Sequence, residues 1–166
     1  MTADESRTLA TVHDTEAFGA DLASGLAPGD LVILDGPLGA GKTALTRGIG
    51  AGLGVQGRIT SPTFVIARVH PPGEPGGVGL VHVDAYRLGT TGADVLADLD
   101  ALDLDTELDT AVVVVEWGAG VAERLTDRHL LVRLQRRSDS DVPGGGDPDA
   151  DERTITWGWR ASADLT

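Results

Sequence analysis

Two short apolar runs without polar interruption stand out along this chain, Leu31-Val32-Ile33-Leu34 and Ala111-Val112-Val113-Val114-Val115. A strand with one wet face alternates apolar and polar positions, so unbroken runs predict strands buried on both faces of a parallel sheet. Thr63 to His70, Gly79 to Asp84 and His129 to Gln135 read as further strands. The link Pro71-Pro72-Gly73-Glu74-Pro75-Gly76-Gly77 cannot pair continuously, which predicts a hairpin with a mobile tip between the first two of these. Arg7 to His13 alternates as an edge strand would, and Arg153 to Arg160 sets Ile155, Trp157 and Trp159 against polar neighbours as a closing edge strand.

Helical spacing puts Phe18, Leu22 and Leu26 on one face of a helix that Asp14 or Thr15 would N-cap. A second helix is expected from about Lys42 to Leu53, and Val121 to Leu125 suggests a helical turn. Thr91 to Leu108 alternates Asp with Leu and Ala, the pattern of one or two short amphipathic helices. Ser138 to Glu152 holds three consecutive glycines, two prolines and six acidic residues. It has too little apolar area to balance the entropy of ordering and reads as a flexible acidic loop over 138–152.

Strands interleaved with helices over 166 residues predict one α/β domain spanning 1–166. The longest apolar run is far below the roughly 20 residues that cross a bilayer, and the acidic N-terminus lacks the basic start of a signal peptide. No membrane association and a cytoplasmic location are expected. With no cysteine there is no disulfide, thiolate metal site or cysteine nucleophile. A net charge of −13 opposes an independent grip on nucleic acid, so any RNA would be held through another protein.

The chemistry concentrates in Gly36-Pro37-Leu38-Gly39-Ala40-Gly41-Lys42-Thr43, which fits G-x-x-x-x-G-K-[ST] between a buried strand and a helix. In such a P-loop the backbone amides of Gly36, Leu38, Gly39, Ala40, Gly41 and Ala44 are candidates to surround phosphate oxygens. Lys42 would reach the β- and γ-phosphates, and the Thr43 hydroxyl would meet Mg²⁺. Lys42 is the only lysine in the chain; every other fixed cation is arginine.

Hydrolysis also needs a carboxylate near the metal and a group that orients or deprotonates water. Asp84 and Glu116 close two of the expected strands, where open α/β sheets gather their ligands. A guanine-specific N-K-x-D element is impossible with one lysine, and the only D-x-x-G falls at Asp141 to Gly144, inside the acidic loop. A small-molecule kinase would want lid arginines, for which Arg124 and Arg128 are the available pair. A nucleotide-binding adaptor without hydrolysis is the third reading.

Taken in order, the P-loop, Thr60-Ser61-Pro62-Thr63-Phe64, His82-Val83-Asp84-Ala85-Tyr86-Arg87-Leu88 and Glu116-Trp117 resemble the TsaE (YjeE) family over roughly Leu9 to Gln135. The resemblance implies a three-layer P-loop NTPase-like fold, with a mostly parallel central sheet and antiparallel edge strands. It also implies an ATPase that acts with the TsaB and TsaD proteins in forming threonylcarbamoyladenosine on tRNA beside the anticodon. Its substrate and product would be ATP and ADP, and its cofactor Mg²⁺. By the same resemblance, Thr43, Asp84 and Glu116 would hold the metal, Glu116 and Lys42 would be catalytic, and Thr63 would belong to a nucleotide-responsive segment. Pro62 keeps Ser61 out of helical geometry, so that segment should be extended. Gly118 after Trp117, and an Asp- and Ala-rich stretch after Leu88, depart from the family pattern.

Overall fold

Seven strands form a single mixed sheet in the computed structural model, which describes residues 4–61, 67–85, 109–117, 119–120, 122–137 and 152–162. They are β1 (Glu5–Leu9), β2 (Leu31–Asp35), β3 (Ala67–His70), β4 (Gly79–Asp84), β5 (Ala111–Glu116), β6 (Arg128–Arg136) and β7 (Arg153–Ala161), in the spatial order β1-β7-β6-β2-β5-β4-β3. The four central strands β6, β2, β5 and β4 run parallel; β3, β7 and β1 add antiparallel flanks. This is the mostly parallel α/β sheet with antiparallel edges that the pattern and the resemblance imply.

The apolar runs are buried as their lack of alternation requires. Leu31, Val32, Ile33 and Leu34 are each 0% exposed and feed two cores. Val32 and Leu34 point to one with Phe18, Leu45 and Ile49; Leu31 and Ile33 point to the other with Val113, Val115 and Ala122. Helices α1 (Val12–Ala23) and α2 (Lys42–Leu53) carry the residues of the first core. A 3-10 turn at Ala122–Leu125 contributes to the second. The helices expected over Thr91 to Leu108, and the loop expected from Ser138 up to Glu152, lie outside the described residues.

Two local expectations are corrected. The first strand stops at Leu9 and α1 starts at Val12, so the N-cap is Thr11 rather than Asp14 or Thr15. Asp14 is the third helical residue and closes a reciprocal capping box, its carboxylate accepting from the Thr11 amide at 3.0 Å while the Thr11 hydroxyl accepts from the Asp14 amide at 3.1 Å. Strand β7 is not an edge: it pairs along its length with β6 and again with β1, which is the true edge. The start of the link between β3 and β4 is joined to the residues after α2 by three hydrogen bonds: the Gln56 amide to the Pro71 carbonyl at 2.8 Å, the Gly73 amide to the Gly54 carbonyl at 2.9 Å, and the Gln56 side-chain amide to the Pro72 carbonyl at 3.1 Å. Proline rings block sheet pairing but leave their carbonyls free to accept, which is how this link is held.

Close contact between α1 and α2 depends on glycine at the crossing. A Cβ at Gly48 would lie 2.9 Å from the Glu16 Cα and inside the contact distance of the Glu16 carbonyl oxygen, all backbone atoms that cannot swing aside. Gly48→Ala should therefore destabilise the fold by about 3 kcal/mol despite alanine's better helix propensity. Urea unfolding measures this, and an unchanged midpoint would show that the two helices can separate freely.

Candidate nucleotide site

The candidate phosphate cradle grows directly out of β2. After Asp35 the chain turns through Gly36 to Gly41 and enters α2 at Lys42, leaving the first amides of that helix without intrahelical partners. Gly41 is the N-cap with φ 104°, a left-handed conformation that glycine adopts without the Cβ penalty. The Pro37 carbonyl accepts from the Ala40 amide at 3.1 Å, which tightens the loop.

A cavity of about 520 Å³ opens above this cradle. It is lined by Leu38, Gly39, Gly41, Lys42, Thr43 and Ala44 from the loop and helix, with Asp84, Glu116 and Trp117 from the strand ends. Gly36 and Ala40 are not on the wall. Gly36 packs against the Leu134 backbone, and Ala40, 1% exposed, sits in the core. Leu38 is 91% exposed at the rim. Ser61 reaches the wall, but Thr63, with Pro62 and Phe64, lies outside the described residues, as do Tyr86, Arg87 and Gly118.

Register explains why the two carboxylates converge. Asp84 and Glu116 are paired positions on the adjacent parallel strands β4 and β5, so their side chains leave the same face at the carboxyl edge of the sheet. Both are buried, yet both reach the cavity. Oε1 of Glu116 accepts the Thr43 hydroxyl at 3.2 Å and lies 2.9 Å from Nε2 of His82. His82 is fully buried, and donating from Nε2 to the carboxylate requires the tautomer with its proton there. Thr43, Asp84 and Glu116 thus offer an all-oxygen donor set, the kind a hard cation such as Mg²⁺ takes. Among the described residues no three or more His, Cys, Asp or Glu side chains are grouped to hold a metal ion.

Lys42 is held inside its own loop. Its Nζ donates to the Gly36 carbonyl at 2.7 Å and the Pro37 carbonyl at 2.9 Å, and sits 4.0 Å from the centre of the Trp117 ring. Burial pulls its pKa below the ordinary lysine value, while the Glu116, Asp84 and Asp35 carboxylates act in the opposite direction. Trp117 faces the site: its backbone adopts φ 62° just past β5, and its amide donates to the Leu34 carbonyl at 3.2 Å. A left-handed backbone is costly for a bulky residue and persists only where its surroundings enforce it.

The lid-like arginines fall elsewhere. Arg128 begins β6 and pairs at 3.7 Å with Asp30, which precedes β2. Both therefore lie at the amino ends of the strands, the opposite edge of the sheet from the cradle, and the guanidinium stacks 4.2 Å over Trp159. The cavity does hold a buried arginine that motif reading passed over, Arg153, the first residue of β7. The available signal was its parity with Ile155 and Trp157, which puts it on the helix-covered face of the sheet.

With this geometry in view, the likeness to known proteins is extensive. The model of the family described as "Threonylcarbamoyl adenosine biosynthesis protein TsaE" matches residues 9–142. The chain is 52% identical over 163 residues, 98% of its length and 91% of the other's, to the tRNA threonylcarbamoyladenosine biosynthesis protein TsaE of Mycobacterium tuberculosis. It is 59% identical over 120 residues, 72% of its length and 77% of the other's, to the protein of that name from Streptomyces coelicolor. The crystal structure of YdiB from Bacillus subtilis superposes with a TM-score of 0.66 at 28% identity, covering 95% of this chain and 86% of that one. Among the described residues no helix is long and apolar enough to cross a membrane. The match over four-fifths of the length, together with a P-loop whose lysine, threonine and facing carboxylates share one cavity, places this chain in the TsaE family.

Proposed function

We propose that this chain hydrolyses ATP to ADP and phosphate in the cavity above Gly36 to Thr43. It would do so in the cytoplasm as the ATPase subunit that works with TsaB and TsaD to form threonylcarbamoyladenosine on tRNA. The observation that carries this reading is the convergence of Lys42, Thr43, Asp84 and Glu116 on one cavity at the carboxyl edge of a parallel sheet. The pathway comes from the names of the relatives, and the partners from what the family resemblance implies.

Lys42 exchanges its bonds to the Gly36 and Pro37 carbonyls for phosphate oxygens, and the free amides at the start of α2 receive the rest of the phosphate chain. Thr43 and Asp84 would hold Mg²⁺, with Glu116 beside them, and the bound ion would neutralise charge on the phosphate oxygens. Glu116, oriented by Thr43 and His82, takes a proton from water as the water oxygen bonds to the γ-phosphorus. The bond from that phosphorus to the β-bridging oxygen breaks, and ADP leaves. The tRNA is held by the partners, in keeping with a chain of net charge −13.

Trp117 supplies a test of occupancy, because its ring contacts the lysine that must move. Mg-ATP should change the tryptophan emission, and Trp117→Phe should remove most of that change, since Trp157 and Trp159 lie on β7 away from the cavity wall. Emission indifferent to ATP in the unaltered protein would contradict the nucleotide site.

A further inference from the structure

Three cations reach the cavity wall among the described residues: Lys42, Arg47 and Arg153. The first two stand at the start and in the middle of α2. Arg153 comes from a strand more than a hundred residues beyond the loop, and the P-loop motif does not include it.

Its placement is specific. Arg153 is 3% exposed yet lines the cavity. Its backbone is fixed from both sides, opposite Leu9 of β1 and Arg136 of β6. Its side chain lies along the N-cap of α2: a Cβ built on Gly41 would fall onto Nη1 and lie 3.2 Å from Cζ and 3.4 Å from Cδ. The missing side chain at Gly41 therefore has a second use beyond its φ of 104°, since it makes room for a guanidinium against the cradle.

Electrostatics then indicates what belongs there. The start of α2 is the positive end of the helix dipole, and Lys42 and Arg153 line the same cavity as that helix start, which the Asp84 and Glu116 carboxylates line as well. A planar guanidinium offers phosphate two parallel N–H donors where an ammonium acts as a point charge. We infer that Arg153 is a phosphate-contacting residue of this site, gripping the polyphosphate of the nucleotide from the β7 side while Lys42 grips it from the α2 side. The inference rests on the reading of the cavity as a nucleotide site, and adds to it a ligand that joins the final strand of the sheet to the substrate.

The test is equilibrium binding of ATP with Mg²⁺ to the full chain and to its Lys42→Ala, Arg153→Gln and Arg153→Lys variants, beside the melting temperature of each without nucleotide. Arg153→Gln should weaken ATP binding about 10- to 100-fold while shifting the nucleotide-free melting temperature by no more than about 2 °C. Arg153→Lys should recover part of the lost affinity, because charge returns without the fork. Affinity within twofold of the unaltered protein in Arg153→Gln, with Lys42→Ala weakened, overturns the role of Arg153 and leaves the nucleotide site standing. Failure of the unaltered chain to bind ATP overturns both. Should Arg153→Gln not fold, undiminished ATP affinity in Arg153→Lys identifies the residue as a structural brace and overturns the inference, whereas an intermediate loss in a normally melting Arg153→Lys supports it.

Discussion

Lys42→Ala should lower phosphate release from ATP by at least about 10²-fold while leaving the circular dichroism spectrum and melting temperature close to those of the unaltered protein. The catalytic loss follows from position, since Lys42 is the sole lysine and its ammonium lies at the mouth of the cradle between the loop carbonyls and the Trp117 ring. The retention of stability is the less obvious half. Lys42 is 5% exposed and burial disfavours its charge, so the folded state gains little from an ammonium that has given up water for two carbonyls and a ring. Removing it would delete the proposed phosphate ligand without deleting a packing element. Turnover at the unaltered rate would refute the assignment of this loop, and a collapse in melting temperature would show that the lysine bonds hold the loop together.

Glu116→Gln separates chemistry from binding. Glutamine keeps an oxygen that can accept from both the Thr43 hydroxyl and the His82 Nε2, so the local geometry at the end of β5 is preserved. It cannot take a proton from water. Turnover should fall by roughly 10²- to 10³-fold with ATP affinity within a fewfold of the original, leaving a stable ATP-bound protein. Rapid phosphate release in this variant would remove Glu116 from the role of base and point to Asp84, its neighbour on β4.

The parts of the fold legible in the sequence are those where one physical signal acts without competition. Strands β4 and β5 and helix α2 match the expected bounds residue for residue, and β2 matches to within one residue. Unbroken burial or a glycine-lysine motif at a helix start leaves little else those residues can be. Residue preference alone misplaces the start of α1, because Asp14 and Thr15 are good cap residues in isolation. Thr11 competes successfully because Asp14 can return a hydrogen bond to it, a pairwise effect that single-residue preference does not carry. Alternation identified β7 as a strand but not as an interior one, since an amphipathic pattern reports one dry face and is silent about hydrogen bonding along either edge.

The site divides along the same line. Lys42, Thr43, Asp84 and Glu116 could be named because motif and strand-end position each constrain them locally, and the structure gathers all four at one cavity. Arg153 is marked in the sequence only by its parity with Ile155 and Trp157, which gives its face of the sheet but not its neighbours; the antiparallel return of β7 beside β6 brings it against Gly41. His82 packs at 0% exposure, and its ring also meets the oxygen of Glu116 that receives Thr43. The two-residue period of β4 fixes its face, while its hydrogen-bond partner depends on the register between β4 and β5.

The central claim is that Lys42, Thr43, Asp84 and Glu116 form a hydrolytic site for ATP, and it is tested most directly by phosphate release from ATP with Mg²⁺. The purified chain is assayed first without partners and then with the TsaB and TsaD proteins proposed as its partners, with Lys42→Ala as the blank. The account predicts slow release by the chain without partners, faster release with the pair, and loss of both in Lys42→Ala. Release that never exceeds the Lys42→Ala blank under either condition would contradict it.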